Sequence, residues 1–156
     1  MNVKKRSRGR ELALQFLYQV DLLGPDVLSD LLGFLRDEEP DTETARFAEN
    51  LVRGTVERRA EVDVMIQAVA QNWRLERMAA IDRNVLRLGA FEMLFVPDVP
   101  PKVSINEAIE LGKRYSTQNS GAFINGILDK IRERYWVPKF GNASGTGTGD
   151  TAGAKT

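Results

Sequence analysis

Histidine and cysteine are both absent from the 156-residue chain. Without cysteine there can be no disulfide and no thiolate metal site, which fits a reducing compartment; a cytoplasmic protein is expected. Without histidine the commonest general base and the commonest transition-metal ligand are missing. An enzyme would have to work with carboxylates, lysine or tyrosine. The sequence has no P-loop, no G-x-G-x-x-G after a strand pattern, no H-E-x-x-H and no nucleophile elbow. Its carboxylates are spread along helical faces, where solvation is the usual role. The expectation is therefore a protein that is not an enzyme, with no cofactor and no metal. No apolar run approaches the length needed to span a bilayer, and residues 1–10 lack the apolar core of a signal peptide, so no membrane role is expected. Neither sign of charge is in excess, with 22 basic and 22 acidic residues, which argues against a generally basic coat for nucleic acid.

The distribution of charge says more than its sum. Lys4, Lys5, Arg6, Arg8 and Arg10 all precede the first acidic residue, Glu11. Asp37, Glu38, Glu39, Asp41 and Glu43 form an acidic block further on. Apolar residues recur at helical spacing almost throughout. A first helix is predicted from Ser7 to Leu23, with Ala13, Phe16, Leu17 and Val20 inward, Arg8 and Gln15 on the opposite side, and Gly24-Pro25 as its stop. A short second helix carries Val27, Leu28, Leu31, Leu32 and Leu35. Asp41 or Thr42 caps a third after Pro40, and Val62, Met65, Ile66, Val69 and Trp73 continue the period after a bend near Arg59. A largely buried helix follows from Asp82, its N-cap, to Phe95. Ser104 and Glu107 have the spacing of a capping box after Pro100-Pro101, and a last helix centres on Ile124, Ile127, Leu128 and Ile131. No segment alternates as a strand would. The fold expected is all-α, a compact bundle of about seven helices in one domain over residues 1–140. Residues 141–156, rich in glycine and threonine, carry no apolar face and are expected to be disordered.

Three strings carry a family likeness. R-E-L-A-L-Q-F-L-Y occupies Arg10–Tyr18, I-D-R-N-V-L-R-L-G-A-F-E occupies Ile81–Glu92, and Val103–Asp129 contains Asn106, Glu107, Lys113, Phe123, Asn125, Gly126, Leu128 and Asp129 in a specific order. Together, in this order and at these separations, they resemble the NusB family of bacterial transcription antitermination factors. Gly89 and Gly112 stand where alanine would fit the family pattern. The resemblance implies a factor that binds the boxA element of ribosomal RNA leaders with the ribosomal protein NusE, inside an antitermination complex on RNA polymerase. Lys5, Arg6, Arg8 and Arg10 are then expected to meet phosphates from a basic arm ahead of a helix N-terminus. Gln15, Tyr115, Ser116, Asn119 and Phe123 are expected to meet bases. Tyr18, Leu22 and Asp82 are expected to form a separate flank for the protein partner. Monomer and homodimer are both compatible with the sequence.

Each of these residues also has a plainer reading. Phe123 could be core, although Ile124 already supplies the inward contact at that turn. Gln15 could be a solvated side chain, Tyr115 could pack on the following helix, and Asn119 could serve only the turn. Asn125-Gly126 is expected to serve close helix packing, and Trp73 and Trp136 to be packing residues. Two rival functions stand beside the first. One is the RNA-binding domain of a ribosomal RNA cytosine methyltransferase, which would need a further catalytic domain with a nucleophilic cysteine. The other is a helical protein-interaction or ribosome-assembly module whose basic residues only confer solubility.

Overall fold

Asn2 opens the first helix, its side-chain oxygen accepting a hydrogen bond from the Lys5 N–H at 2.8 Å. That satisfies one of the donors a helix start leaves orphaned. In the computed structural model, which describes residues 1–138, α1 accordingly spans Val3–Leu23 and begins before the expected Ser7. Gly24 ends it with φ of 96°, a conformation glycine adopts without steric cost. The predicted second helix is divided into a 3-10 segment, Pro25–Asp30, and α2, Leu31–Glu38. Leu31 and Leu35 are buried there, whereas Leu32 lies on the surface. Asp41 caps α3 (Thr42–Glu57) as expected, accepting from the Thr44 N–H at 2.9 Å and the Thr44 hydroxyl at 2.7 Å. A break at Arg58 leads into α4, Arg59–Val69. The remaining helices are α5 (Ala80–Phe95), α6 (Pro101–Tyr115) and α7 (Ser120–Tyr135). No strand occurs among the described residues, and the all-α architecture is as predicted. The tail expectation for residues 141–156 lies outside the described residues.

Two helix starts differ from expectation. Pro101 is the first residue of α6, where its missing N–H and fixed φ cost nothing. Ser104 is consequently inside the helix, 1% exposed, with a hydroxyl that has no partner, and there is no capping box. Glu107 turns instead towards α1, accepting from Ser7 Oγ at 2.8 Å and Arg10 Nη1 at 3.1 Å. α5 begins at Ala80, so Asp82 lies in its first turn and is not the N-cap.

The core is organised around α5, which packs on α1, α3, α4, α6 and α7. Every residue from Asn84 to Met93 is buried, as a helix surrounded on all sides requires. Small residues let the neighbours close in. A Cβ on Gly112 would meet Ile124 Cδ1 at 2.3 Å, and one on Gly89 would meet Leu128 Cδ1 at 3.0 Å. The glycines in place of alanine thus permit tight contact of α7 with α6 and α5. Gly126 does the opposite of what was expected. Nothing lies within 4 Å of a Cβ there, and both Asn125 and Gly126 are exposed.

Burying α5 forces its polar residues to find partners. Glu92 takes Arg10 of α1 in a bond of 2.7 Å, with the side chains 2% and 3% exposed. Near the other end, Asp21 of α1 accepts from Arg83 Nη2 at 2.6 Å and Asn84 Nδ2 at 3.1 Å, and pairs with Arg87 at 3.4 Å. These two latches make α1 antiparallel to α5. Burial pushes the Asp21 carboxyl up, but hydrogen bonds from Arg83 and Asn84 and the charges of Arg83 and Arg87 outweigh it. The group is held below the ordinary 3.8.

Two outcomes follow from this packing. Asp21→Asn leaves the largely buried Arg83 without its counter-charge, while Arg87 keeps Asp63 at 2.8 Å, and should cost about 3 kcal/mol, measured by denaturant unfolding. Because the folded-state pKa is depressed, Asp21 stabilises the fold above its unfolded pKa. That contribution is lost as pH falls through the folded pKa, so the variant's stability should decline less between neutral and strongly acid pH. Ser104→Ala removes no hydrogen bond and improves helix propensity, so its Tm should be equal to or above the parent's. A clear fall would restore a capping role.

Candidate nucleic-acid interface

The basic stretch is not a free arm. Lys5, Arg6, Arg8 and Arg10 lie within α1, and each is ion-paired. Lys5 bridges to Glu43 at 2.9 Å and Asp41 at 3.3 Å. The hydrogen bond from Lys5 to Glu43, then that to Asp41, raise the Lys5 pKa. Glu43 is correspondingly lowered, chiefly by Lys5. Arg6 reaches Asp98 at 2.6 Å and stacks over the Phe47 ring, 5.3 Å from its centroid. Arg8 bridges Glu39 and Glu11, each at 3.3 Å. Arg10 is the clear correction. Buried against Glu92, it is unavailable to a phosphate and belongs to the core.

A second group gathers at the opposite end of α1. Residues 116–119 join α6 to α7, and Ser120 Oγ accepts from the Thr117 N–H at 3.3 Å to hold the turn. Asn119 is exposed and forms no side-chain cap, so its amide is free of the turn-serving role considered for it. Phe123, half-buried, receives the Trp73 ring edge-on, with centroids 5.6 Å apart and planes at 78°. Trp73 is itself 58% exposed, so it is not the packing residue expected. α4 ends at Val69, and Trp73 projects from the loop that follows. Gln67 pins that loop from both sides, donating to the Trp73 carbonyl at 2.8 Å and accepting from the Leu75 N–H at 2.9 Å.

Trp73 and Phe123 form one wall of a cavity of about 230 Å³ that also takes in Arg77, Asp82, Asn119 and Ser120. The Asp82 Oδ1 atom is buried without a hydrogen-bond partner. Asp82 was expected on a flank separate from Asn119 and Phe123. The structure places all three in one cavity. Tyr18 and Leu22, four residues apart on α1, are 36% and 59% exposed and flank Asp21 near this same end.

Tyr115 and Ser116, both half-buried, end α6. The Arg114 guanidinium lies over the Tyr115 ring at 5.5 Å and is also paired with Glu11 of α1. A groove of about 440 Å³ between α1 and α6 runs from Ser7 and Glu11 to Gln118 and includes Glu107 and Glu110. Gln15, half-buried, follows Glu11 one turn further along α1. Asn119 and Phe123 are therefore brought together in one cavity, and Tyr115 and Ser116 precede them in the chain without lining it. Lys5 and Arg6 are remote, roughly 23 Å along α1 from Asp21 at about 1.5 Å per residue.

Trp73, Arg77 and Gln67 escaped the sequence reading because the apolar period of α4 was continued through Trp73. The signal available was Q-N-W-R, an aromatic among polar residues just before a new helix. Among the described residues no group of histidine, cysteine, aspartate or glutamate is placed to hold a metal ion. No described helix is long and apolar enough to cross a membrane.

Comparison with known proteins bears on what this surface does. The family model described as the NusB family matches residues 7–133. Transcription antitermination protein NusB of Anaeromyxobacter dehalogenans (strain 2CP-1) is 54% identical over 128 residues, covering 81% of this chain and 89% of that protein. The protein of the same name from Desulfatibacillum aliphaticivorans is 49% identical over 127 residues, covering 81% and 89%. A T. maritima NusB structure superimposes with a TM-score of 0.78 at 38% identity, over 86% of this chain and 94% of that one. A crystal structure of antitermination factors NusB and NusE in complex with dsRNA gives a TM-score of 0.77 at 26% identity, over 86% and 100%.

The contrast between the buried and the exposed cations of α1 can be measured without any ligand. Arg10→Gln should lower stability by about 3–5 kcal/mol, since it strands Glu92 in the core. Arg8→Ala should change it by no more than about 1 kcal/mol, the range of an exposed pair. Equal, small losses in urea unfolding of both variants would contradict the assignment of Arg10 to the core.

Proposed function

The chain belongs to the NusB family, and on that footing we propose that it acts as a transcription antitermination factor. It binds boxA-type single-stranded RNA of ribosomal RNA operon leaders together with the ribosomal protein NusE, within the antitermination complex on RNA polymerase. Its work is recognition and assembly in the cytoplasm, with no bond made or broken.

The observation that supports this reading best is the exposed Trp73 ring set against Phe123 beside the unencumbered amide of Asn119. Splayed bases of a single strand stack on aromatic faces and hydrogen-bond to planar amides. Phe123 therefore combines its two readings, one edge packed on the core and the rest contributing to a wall that a base can approach. Trp73 and Asn119 extend that wall, Tyr115 and Ser116 lie just before Asn119 in the chain, and Arg77 offers a charge for the backbone. Gln15 is assigned to the same strand from the α1 side.

Lys5, Arg6 and Arg8 take phosphates by exchanging carboxylate partners. These pairs are only partly exposed, and near a protein surface such pairs are worth on the order of 1 kcal/mol each, so exchange for a phosphate is inexpensive. Tyr18 and Leu22 present an apolar stripe to the protein partner, and Asp82 supplies a negative charge to a basic ribosomal protein. Since Asp82 shares a cavity with Asn119 and Phe123, the partner and RNA surfaces adjoin at that point.

Fluorescence anisotropy with boxA RNA and a scrambled control tests the reading. The parent protein should prefer boxA. Trp73→Ala and Phe123→Ala should each cost about 1–3 kcal/mol of binding, roughly 5- to 150-fold in Kd. Trp73→Ala should leave Tm unchanged, because its ring is largely outside the core. A parent protein that binds both RNAs equally would favour the interaction-module alternative.

A further inference from the structure

Some of the described lysines and arginines are held by carboxylates and others, on several helices, are not. Every α1 cation from Lys5 to Arg10 is ion-paired. On α7, Lys130 and Arg134 form no ion pair among the described residues, and Arg134 touches only the ring of its neighbour Tyr135, at 5.4 Å. Both line a groove of about 450 Å³ between the end of α4 and the last turns of α7, with Gln71, Asn72 and Glu133.

This groove adjoins the aromatic wall in sequence and shares its face of α7. Asn72 immediately precedes Trp73. Phe123, Lys130 and Arg134 are spaced by seven and four residues, so they share one face of α7. Lys130 lies roughly 10 Å beyond Phe123 along the axis, and Arg134 about 6 Å further. Between them Gly126 presents no side chain, and nothing lies within 4 Å of where its Cβ would be. Two cations four apart on one helix face repel by a few tenths of a kcal/mol. An anion lying along the groove relieves that repulsion. The helix C-terminus tolerates the pair, but it does not account for the exposed side chains opposite, Asn72 and Gln71, whose Nε2 donates to the Ala68 carbonyl at 3.4 Å.

We propose that the RNA strand continues past the Trp73–Phe123 pair into this groove, where Lys130 and Arg134 contact its phosphates and the Gln71 and Asn72 amides border its bases or sugars. Glu133 sets the limit of the site by leaving a net charge of only one, so the contact extends binding without dominating it. This rests on the RNA-binding reading above and assigns the strand's path beyond the core site.

The test uses the full-length chain with boxA RNA, and with the same RNA lengthened by a short run of uridines at its 5′ end or its 3′ end. One of the two extensions should tighten binding to the parent protein several-fold. The double variant Lys130→Ala, Arg134→Ala should lose that gain. Its slope of log affinity against log salt on the longer RNA should fall by about 1.4, or ~0.7 per phosphate contact on a single strand. Both side chains are exposed, so an unchanged Tm confirms that folding is not the cause. No gain from either extension, or an equal gain in the variant, overturns the proposed path. Failure of the parent protein to prefer boxA over a scrambled RNA would instead overturn the reading on which the path depends.

Discussion

The buried pair between Arg10 and Glu92 is the constraint on which the rest of this structure depends. It joins α1 to the helix that α3, α4, α6 and α7 also pack against, and Glu107 of α6 completes it through Arg10 Nη1 at 3.1 Å. Arg10 comes from the first family motif, Glu92 from the second and Glu107 from the third. Three strings separated in sequence thus meet in one charge cluster. At the far end of the same two helices, Asp21 holds Arg83, Asn84 and Arg87. Apolar surfaces alone tolerate small shifts of one helix along another. A fully paired charge at each end does not, because any shift strands a buried ion. The start of α5, where Asp82 lines the same cavity as Trp73, takes its position from these two latches.

Such a frame explains why the charge pattern of the sequence was misleading. A run of arginine and lysine ahead of the first carboxylate suggests a cationic arm, but nothing in residue type separates a buried arginine from an exposed one. The carboxylates that hold this run come from the acidic block at residues 39–43, from Asp98 and from Glu92. In the mode we propose, nucleic acid is bound by exchange of partners on α1 and by direct contact where cations are unpaired. Arg77, Lys130 and Arg134 belong to the second kind.

Periodicity made the helices legible, because apolar residues at three- and four-residue spacing have no other common cause in a chain without alternating strands. Asp41 and Gly24-Pro25 were readable as punctuation for steric and hydrogen-bonding reasons that hold locally. The failures were failures of context. Ser104-x-x-Glu107 has the spacing of a capping box, but Pro101 can start a helix itself, which puts Ser104 a turn inside. Asp82 fits a cap by type, yet the backbone turns helical two residues earlier. Gly126 looks like a packing glycine until its surroundings prove empty. Of the site, Asn119 and Phe123 were legible from the family motif. Trp73 was not, since only the fold carries the end of α4 to Phe123.

The central claim, that an RNA base is received at the Trp73–Phe123 wall, has a direct spectroscopic test. The chain contains two tryptophans, so a 15N-labelled sample gives two indole N–H resonances, assignable by single substitution. Titration with boxA RNA should shift or broaden the Trp73 indole in proportion to saturation and leave that of half-buried Trp136 in place. A saturated complex in which the Trp73 resonance does not move would contradict the account.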